Sequence, residues 1–383
     1  MASMFSFGFS GDDIEDDVDA GVTDTATHTD DNEKNNNTSS ADNLPGTSSL
    51  PSQIAYNTLK LESSSKNEFL TLGRREIFDV RTQLMAEDAP DHDELISGLE
   101  QGDLKPNFYE GGFKTWECAL DLARLVLATD QGEADMAHVI ELGCGTAVPT
   151  LALFARLLSL PEGLMPFRFT LADYNSTVLR MVTLPNLLLT WWLNTRRTTT
   201  TTTSQGDDNG GDGSTEEAQK TDEGELDIDS DLINAFLTDL AIRGITIEFI
   251  SGGWSPHFVD LVLGDHHDAQ ASSTGRNTLV LASETIYAPS SLDAFSQTLV
   301  QLLRRAQARN SGKTTSLVAA KKVYFGVGGG IDEFLHVLRQ QPLQDNEQLD
   351  IRESSQVTSE GVGRIILEVS IHDTSTNTTS TRT

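Results

Sequence analysis

The sequence predicts an α/β protein built on a mainly parallel β-sheet with helices on both faces. Three observations carry that reading. Val139-Ile140-Glu141-Leu142 leads straight into Gly143-Cys144-Gly145 and then an apolar helical stretch from Val148 to Leu158. Strand, glycine turn and helix is how such proteins bring backbone close to a ligand. About thirty residues on, Phe167 to Ala172 reads as a second strand ending in Asp173. Strand-like and helix-like segments then alternate to residue 369, which implies parallel strands covered on both sides.

The elements follow in order. Residues 1–50 are dominated by Asp, Asn, Ser and Thr and read as disordered, with one short Phe5-Ser6-Phe7-Gly8-Phe9 patch. Residues 51–105 read as an N-terminal extension packing on the main domain. There Ile77, Val80, Leu84 and Met85 share one face of a short helix. The main domain runs over 106–372. Glu110-Gly111-Gly112-Phe113 is a turn, Trp116 to Leu127 a helix, Ala137 to Leu142 the first strand and Arg168 to Ala172 the second. A helix over Thr177 to Leu184 gives way to Pro185-Asn186 and an apolar run, Leu187 to Leu193. Residues 195–229, with six consecutive threonines and a Gly/Asp/Glu-rich tract, read as a flexible surface insertion. Beyond it come a helix (Leu232–Ile242), strands at Thr246–Ile250 and Thr278–Ala282, and a helix at Leu292–Ala306. A strand at Lys322–Gly326, a glycine turn, a helix at Asp332–Leu338 and a last strand at Gly363–Val369 complete it, before a polar tail over 373–383.

Charge bounds the function. The 383 residues carry a formal net charge of −31. Residues 1–50 hold eleven acids and one lysine, and 204–229 ten acids and one lysine, so much of the excess sits in core-poor stretches. Such acidity argues against direct nucleic-acid binding, which needs clustered Lys and Arg, and suits a basic protein partner. Two cysteines, Cys118 and Cys144, are too few for a disulfide framework and suggest a reducing, intracellular location. No run reaches the length of a membrane span, and the N-terminus lacks the basic region of a targeting signal. The eight histidines show no metal-ligand spacing.

The glycine turn narrows the ligand. A dinucleotide fingerprint needs a third glycine, and Val148 stands in its place. An acid at the tip of the second strand suits the two hydroxyls of a ribose. Glu141-x-Gly143-x-Gly145 with Asp173 therefore resembles the S-adenosylmethionine motifs of the Rossmann-like, seven-β-strand methyltransferases. Four further pieces resemble the family 16-like protein methyltransferases: Lys114-Thr115-Trp116-Glu117, Leu184-Pro185-Asn186, Gly252-Gly253-Trp254 and Ser283-Glu284-Thr285-Ile286-Tyr287. Within that group, Tyr109 to Glu117 and Asp173 to Val178 are most similar to the histidine protein methyltransferases. Arg74 to Val80 and the Phe-rich N-terminus suit fungal-type members. The resemblance covers roughly 70–370, and departs at Phe113, where Leu is expected, and at Gly253, where an acid is usual.

The resemblance implies S-adenosyl-L-methionine as cofactor. Trp116, Glu141, Gly143, Gly145, Asp173, Asn175, Asn186 and Trp254 are its candidate contacts, with Trp116 as an aromatic wall by the sulfonium. Glu284 and Tyr287, after the fourth strand of the fold, are the candidate catalytic pair. The implied acceptor is a histidine, at the tele nitrogen, of a large-subunit ribosomal protein. A lysine acceptor within the same family, or a non-catalytic cofactor-binding module, is the alternative. A monomer acting in cytoplasm and nucleus, without metal, completes the expectation.

Overall fold

A computed structural model describes residues 6–8, 50–62, 69–87, 95–96, 111–129, 135–161, 166–202, 222–263, 275–310, 312–358 and 361–374. Its strands are β1 (Ser6–Gly8), β2 (Gln53–Glu62), β3 (Phe69–Arg75), β4 (Met136–Leu142), β5 (Phe167–Asp173), β6 (Glu223–Asp227), β7 (Ile245–Ser251), β8 (Asn277–Ser283), β9 (Thr314–Lys321), β10 (Glu347–Val357) and β11 (Arg364–Asp373). Its main helices are α1 (Ile77–Glu87), α2 (Glu117–Ala128), α3 (Val148–Leu158), α4 (Leu184–Thr202), α5 (Ser230–Arg243), α6 (Pro256–Leu263), α7 (Leu292–Asn310) and α8 (Ile331–Arg339).

The large sheet has the order β1-β7-β5-β4-β8-β9-β11-β10. From β1 to β9 all neighbours are parallel; β11 and β10 join antiparallel. This is the Rossmann-like methyltransferase architecture, with β1 as an extra edge strand. Every residue of β4 is buried, as a central strand covered on both faces requires. Period-two alternation divides its side chains. Val139 joins Leu122, Phe154 and Leu187 on one face, and Ile140 joins Phe258, Phe295 and Phe334 on the other.

The chain leaves β4 towards β5 and β7 on one side, then returns to β8 and β9 on the other. The strand order therefore reverses between β4 and β8, which opens a crevice at the carboxyl ends of the strands. Register brings those ends level. Leu142 is paired with both Ala172 and Ala282, Asp173 with Ser251, and Ser283 with Ala319.

Several boundaries depart from the sequence reading. Residues 51–75 contain two strands, and β3-β2-β6 form a separate antiparallel sheet. This sheet packs on α4 through Gly73, where a Cβ would lie 2.5 Å from that of Leu189. The expected insertion over 195–229 is structured at both ends, since α4 runs to Thr202 and β6 begins at Glu223; only 203–221 lies outside the described residues. Asp229 caps α5 by accepting the Leu232 N–H at 2.8 Å. In the head, Ser6–Gly8 forms β1 rather than disorder. The strand expected at Lys322–Gly326 ends earlier, as β9, and β10 was not anticipated because its exposed residues lack a buried alternation. Most of the acidic head, Tyr109-Glu110, His266-His267 and the tail from 375 lie outside the described residues.

Candidate active site

The turn after β4 is held by its backbone angles. Gly143, Gly145 and Ala147 all have positive φ, at 61°, 50° and 56°. At Gly143 a Cβ would sit 2.8 Å from Thr285 Cγ2; at Gly145 it would sit 3.0 Å from the Gly112 carbonyl oxygen. Neither position has room for a side chain, so only glycine lets the turn close against Thr285 and Gly112.

Asp173 closes this turn from the next strand. Its Oδ2 accepts the Gly145 N–H at 2.9 Å and its Oδ1 the Asn175 N–H at 3.1 Å. Its own carbonyl accepts the Gly252 N–H at 3.1 Å, which keeps Trp254 beside the same strand end. Asn175 takes the cap position before the short helix Ser176–Val178 without the side-chain cap bond its residue type favours.

Asn186 braces the turn from behind the strand. It is fully buried; its Oδ1 accepts the Arg75 N–H at 2.8 Å and its Nδ2 donates to the Thr146 carbonyl at 3.1 Å. It is a strut between β3 and the glycine turn. A π-helical segment, Leu179–Thr183, supplies a second strut, because Thr183 Oγ1 donates to the Gly145 carbonyl at 2.7 Å. Asn186→Ala strands one buried N–H and one buried carbonyl, so urea unfolding should show a loss of about 2–4 kcal/mol. An unchanged midpoint and slope would remove the strut.

Glu141 lies inside the turn, fully buried. Its Oε2 accepts the Thr150 N–H at 3.0 Å, while Oε1 has no hydrogen-bond partner among the described residues. Burial, opposed by the Thr150 bond and reinforced by Asp173, pushes its carboxyl up to about 8. The fold therefore holds a proton that the unfolded chain releases near 4.5, and this group's contribution to stability falls as pH rises from about 4.5 to 8. Glu141→Gln removes that loss. Its melting temperature relative to wild type, both without cofactor, should rise steadily between pH 5 and 8.5; a constant difference would contradict the buried, protonated carboxyl.

A second cluster forms where β8 ends. Glu284 has φ 57°, a left-handed conformation unusual for a residue with a side chain. Such strain persists where surrounding structure enforces it and gathers at functional sites. Its N–H is held by the Ala319 carbonyl at 3.0 Å. Its Oε1 accepts the Cys118 N–H at 3.4 Å and lies 3.8 Å from Lys321 Nζ. Beside this carboxylate the Tyr324 hydroxyl accepts the Lys321 N–H at 3.3 Å; burial, then the Glu284 charge, pushes its phenol well above the usual range. Burial and Glu284 raise the Cys118 thiol too, so it is an inert neutral donor. Burial pulls the Lys321 ammonium down, but its 2.9 Å pair with Glu117 and the charge of Glu284 outweigh this, and its pKa stands raised.

Lys321 also alters the reading of Trp116. The cation over that indole is the chain's own Lys321 Nζ, 5.3 Å from the ring centroid, and the indole N–H is committed to the Gly111 carbonyl at 3.0 Å. Trp254 meets Phe258 and Phe295 edge-on, at centroid distances of 5.3 and 5.6 Å, so packing accounts for much of its surface. Tyr287 stands 6.4 Å from the Tyr324 ring. Sequence reasoning missed Lys321, Tyr324 and Thr183. No spacing signal links them to Glu284 or the turn, because they arrive from separate strands and loops. No group of three or more possible metal ligands gathers among the described residues, and no described helix is long and apolar enough to cross a membrane.

The crevice fits S-adenosylmethionine on three counts. Its floor is a turn without side chains at 143 and 145, the next strand ends in an acid, and Glu141 Oε1 is a buried polar atom without a hydrogen-bond partner among the described residues. A parallel sheet with this reversal, a two-glycine turn that lacks the dinucleotide glycine, and a strand-end acid define an S-adenosylmethionine-dependent methyltransferase. The histidine protein methyltransferase 1 of Saccharomyces cerevisiae is 34% identical over 355 residues, covering 86% of this chain and 89% of that protein. That of Schizosaccharomyces pombe is 37% identical over 303 residues, covering 78% and 76%. The chain belongs to the histidine protein methyltransferase family. No family model matches it. Among solved structures, the magnesium protoporphyrin IX methyltransferase of Synechocystis superposes with a TM-score of 0.33 at 10% identity over 76% of this chain and 99% of that one, too loose a likeness to carry an argument.

Proposed function

We propose that this protein transfers a methyl group from S-adenosylmethionine to the tele nitrogen of a histidine in a large-subunit ribosomal protein. The observation that carries it is Glu284, an acid forced into left-handed backbone at the end of β8, beside the crevice. The relatives named as histidine protein methyltransferases support the acceptor type.

Bound S-adenosylmethionine supplies a methyl already activated by its cationic sulfur. The chain's task is alignment, so proximity and orientation dominate. Gly143 and Gly145 offer backbone to the methionine part and Asp173 its carboxylate to the ribose. Only the imidazole nitrogen without hydrogen attacks. Glu284 accepts the N–H of the other ring nitrogen and so selects the tautomer, with Tyr287 packed alongside. Lys321 and the Cys118 N–H anchor the Glu284 carboxylate so that it aims rather than swings. The buried free thiols of Cys118 and Cys144 suit a reducing cytoplasmic and nuclear location.

Incubation with labelled cofactor and separated large-subunit ribosomal proteins, followed by amino-acid analysis, tests this directly. The expected product is tele-methylhistidine; methyllysine would move the protein to the rival reading. The pH profile separates the two as well. A histidine acceptor titrates near about 6.5, so kcat/KM should rise through that value and level off by about pH 7.5. A lysine acceptor, with pKa about 10.4, would still be gaining rate tenfold per pH unit at pH 9.

A further inference from the structure

The segment that follows β9 is an unusual surface. Val323, Phe325 and Val327 are 48%, 80% and 41% exposed, while Tyr324 between them packs against the core and its hydroxyl accepts the Lys321 N–H at 3.3 Å. Apolar residues point out and the aromatic hydroxyl points in, so the solvent face is apolar by construction. The loop is also held in shape. The Tyr324 N–H donates to the Gly329 carbonyl at 3.0 Å, the Gly328 N–H to the Tyr324 carbonyl at 3.1 Å, and the Gly329 N–H to the Tyr287 carbonyl at 3.0 Å. Gly326 and Gly328 take φ of 83° and 95°. At Gly329 a Cβ would fall 2.2 Å from the Tyr287 carbonyl oxygen, so only glycine lets the loop lie this close to the Glu284-x-x-Tyr287 segment.

We infer that this loop is the seat for the acceptor-bearing segment of the protein substrate, gripping apolar side chains next to the modified residue. The inference rests on the methyl-transfer reading above. Its occupant follows from continuity. The Tyr324 ring stands 6.4 Å from that of Tyr287, its hydroxyl is bonded to the backbone of Lys321, whose Nζ lies 3.8 Å from the carboxylate assigned to the acceptor ring, and the residues on either side of it form the exposed tip. A polypeptide whose side chain reaches Glu284 from this side lies against Val323, Phe325 and Val327. A preformed, hydrogen-bonded loop loses little freedom on binding, which favours affinity at a small contact. The tip from Val323 to Gly330 carries no charge on a chain of net −31, so it offers an apolar grip that acidic surface elsewhere does not.

The test is the double variant Phe325→Ser with Val327→Ser in the full chain, assayed with labelled S-adenosylmethionine and separated large-subunit ribosomal proteins. The expected result is a KM for the labelled protein raised tenfold or more, kcat within twofold of wild type, and unchanged cofactor affinity by calorimetry. A KM within twofold of wild type overturns the docking loop alone. Weakened cofactor binding in the variant also overturns it, since the tip would then support the fold rather than the acceptor. If the wild-type enzyme labels none of these proteins, the transfer reading fails and takes this inference with it. A labelled lysine overturns only the histidine assignment and leaves the KM comparison intact.

Discussion

Glu284→Gln should lose methyl transfer by about 10²- to 10⁴-fold, the range set by removing one positioned proton-bonding group, while binding S-adenosylmethionine as tightly as wild type. The change is nearly isosteric and keeps an acceptor oxygen for the Cys118 N–H. What it removes is the full negative charge that holds the imidazole N–H. Because the neighbours of Glu284 are structural as well, activity alone does not isolate its role. Glu284→Gly does. Its φ of 57° costs a side-chain-bearing residue roughly 1–2 kcal/mol that glycine does not incur. That relief offsets the lost acceptor, so Glu284→Gly should melt within a few degrees of wild type and still be inactive. Normal turnover in Glu284→Gln would end the acceptor role. A collapse of stability in Glu284→Gly would mean that the strained acid is kept for folding.

Asp173→Ala should weaken cofactor binding by about 10- to 100-fold, equivalent to 1.4–2.8 kcal/mol. Two losses combine. The ribose loses a charged acceptor, and the N–H groups of Gly145 and Asn175 lose the carboxylate oxygens that hold them at 2.9 and 3.1 Å. Hydrogen bonds to charged groups contribute about 1.5–3 kcal/mol each, so the turn itself should loosen. Asp173→Asn separates the two effects. It keeps one carbonyl acceptor but loses charge, so it should preserve most of the stability and still bind cofactor poorly. Calorimetry that finds wild-type affinity in Asp173→Ala would remove the ribose assignment. Affinity restored in Asp173→Asn would show that the residue acts by shaping the turn.

Much of the site was legible in the linear chain, for a definite reason. Gly143 and Gly145 are close in sequence to the strand and helix that create their turn, so period and residue type announced them. Asp173 was found because its strand ends in an acid one β-α-β unit downstream. Asn186 shows the limit of the same kind of evidence. Its residue type suggested a ligand contact, but its bracing partners, Arg75 and Thr146, come from 111 and 40 residues away. The sheet of β2, β3 and β6 went unseen because β6 lies at the edge of a polar tract and its pairing partner, β2, is some 170 residues earlier. The Lys321 ammonium beside Trp116 was not foreseen, because it is brought there by the end of β9.

The α/β class, the two-glycine turn, the strand-end acid and the family are written in the linear chain. These rest on short-range pattern: alternation of burial along a strand, 3.6-residue spacing along a helix, and glycine where φ must be positive. The partners of each polar side chain come from the folded arrangement instead. Glu284 gained Cys118 from 166 residues away and Lys321 from the neighbouring strand; Asn186 became a strut; Glu141 kept one buried oxygen open. Those outcomes depend on which strand ends are brought level by sheet register, a long-range property that residue spacing does not encode.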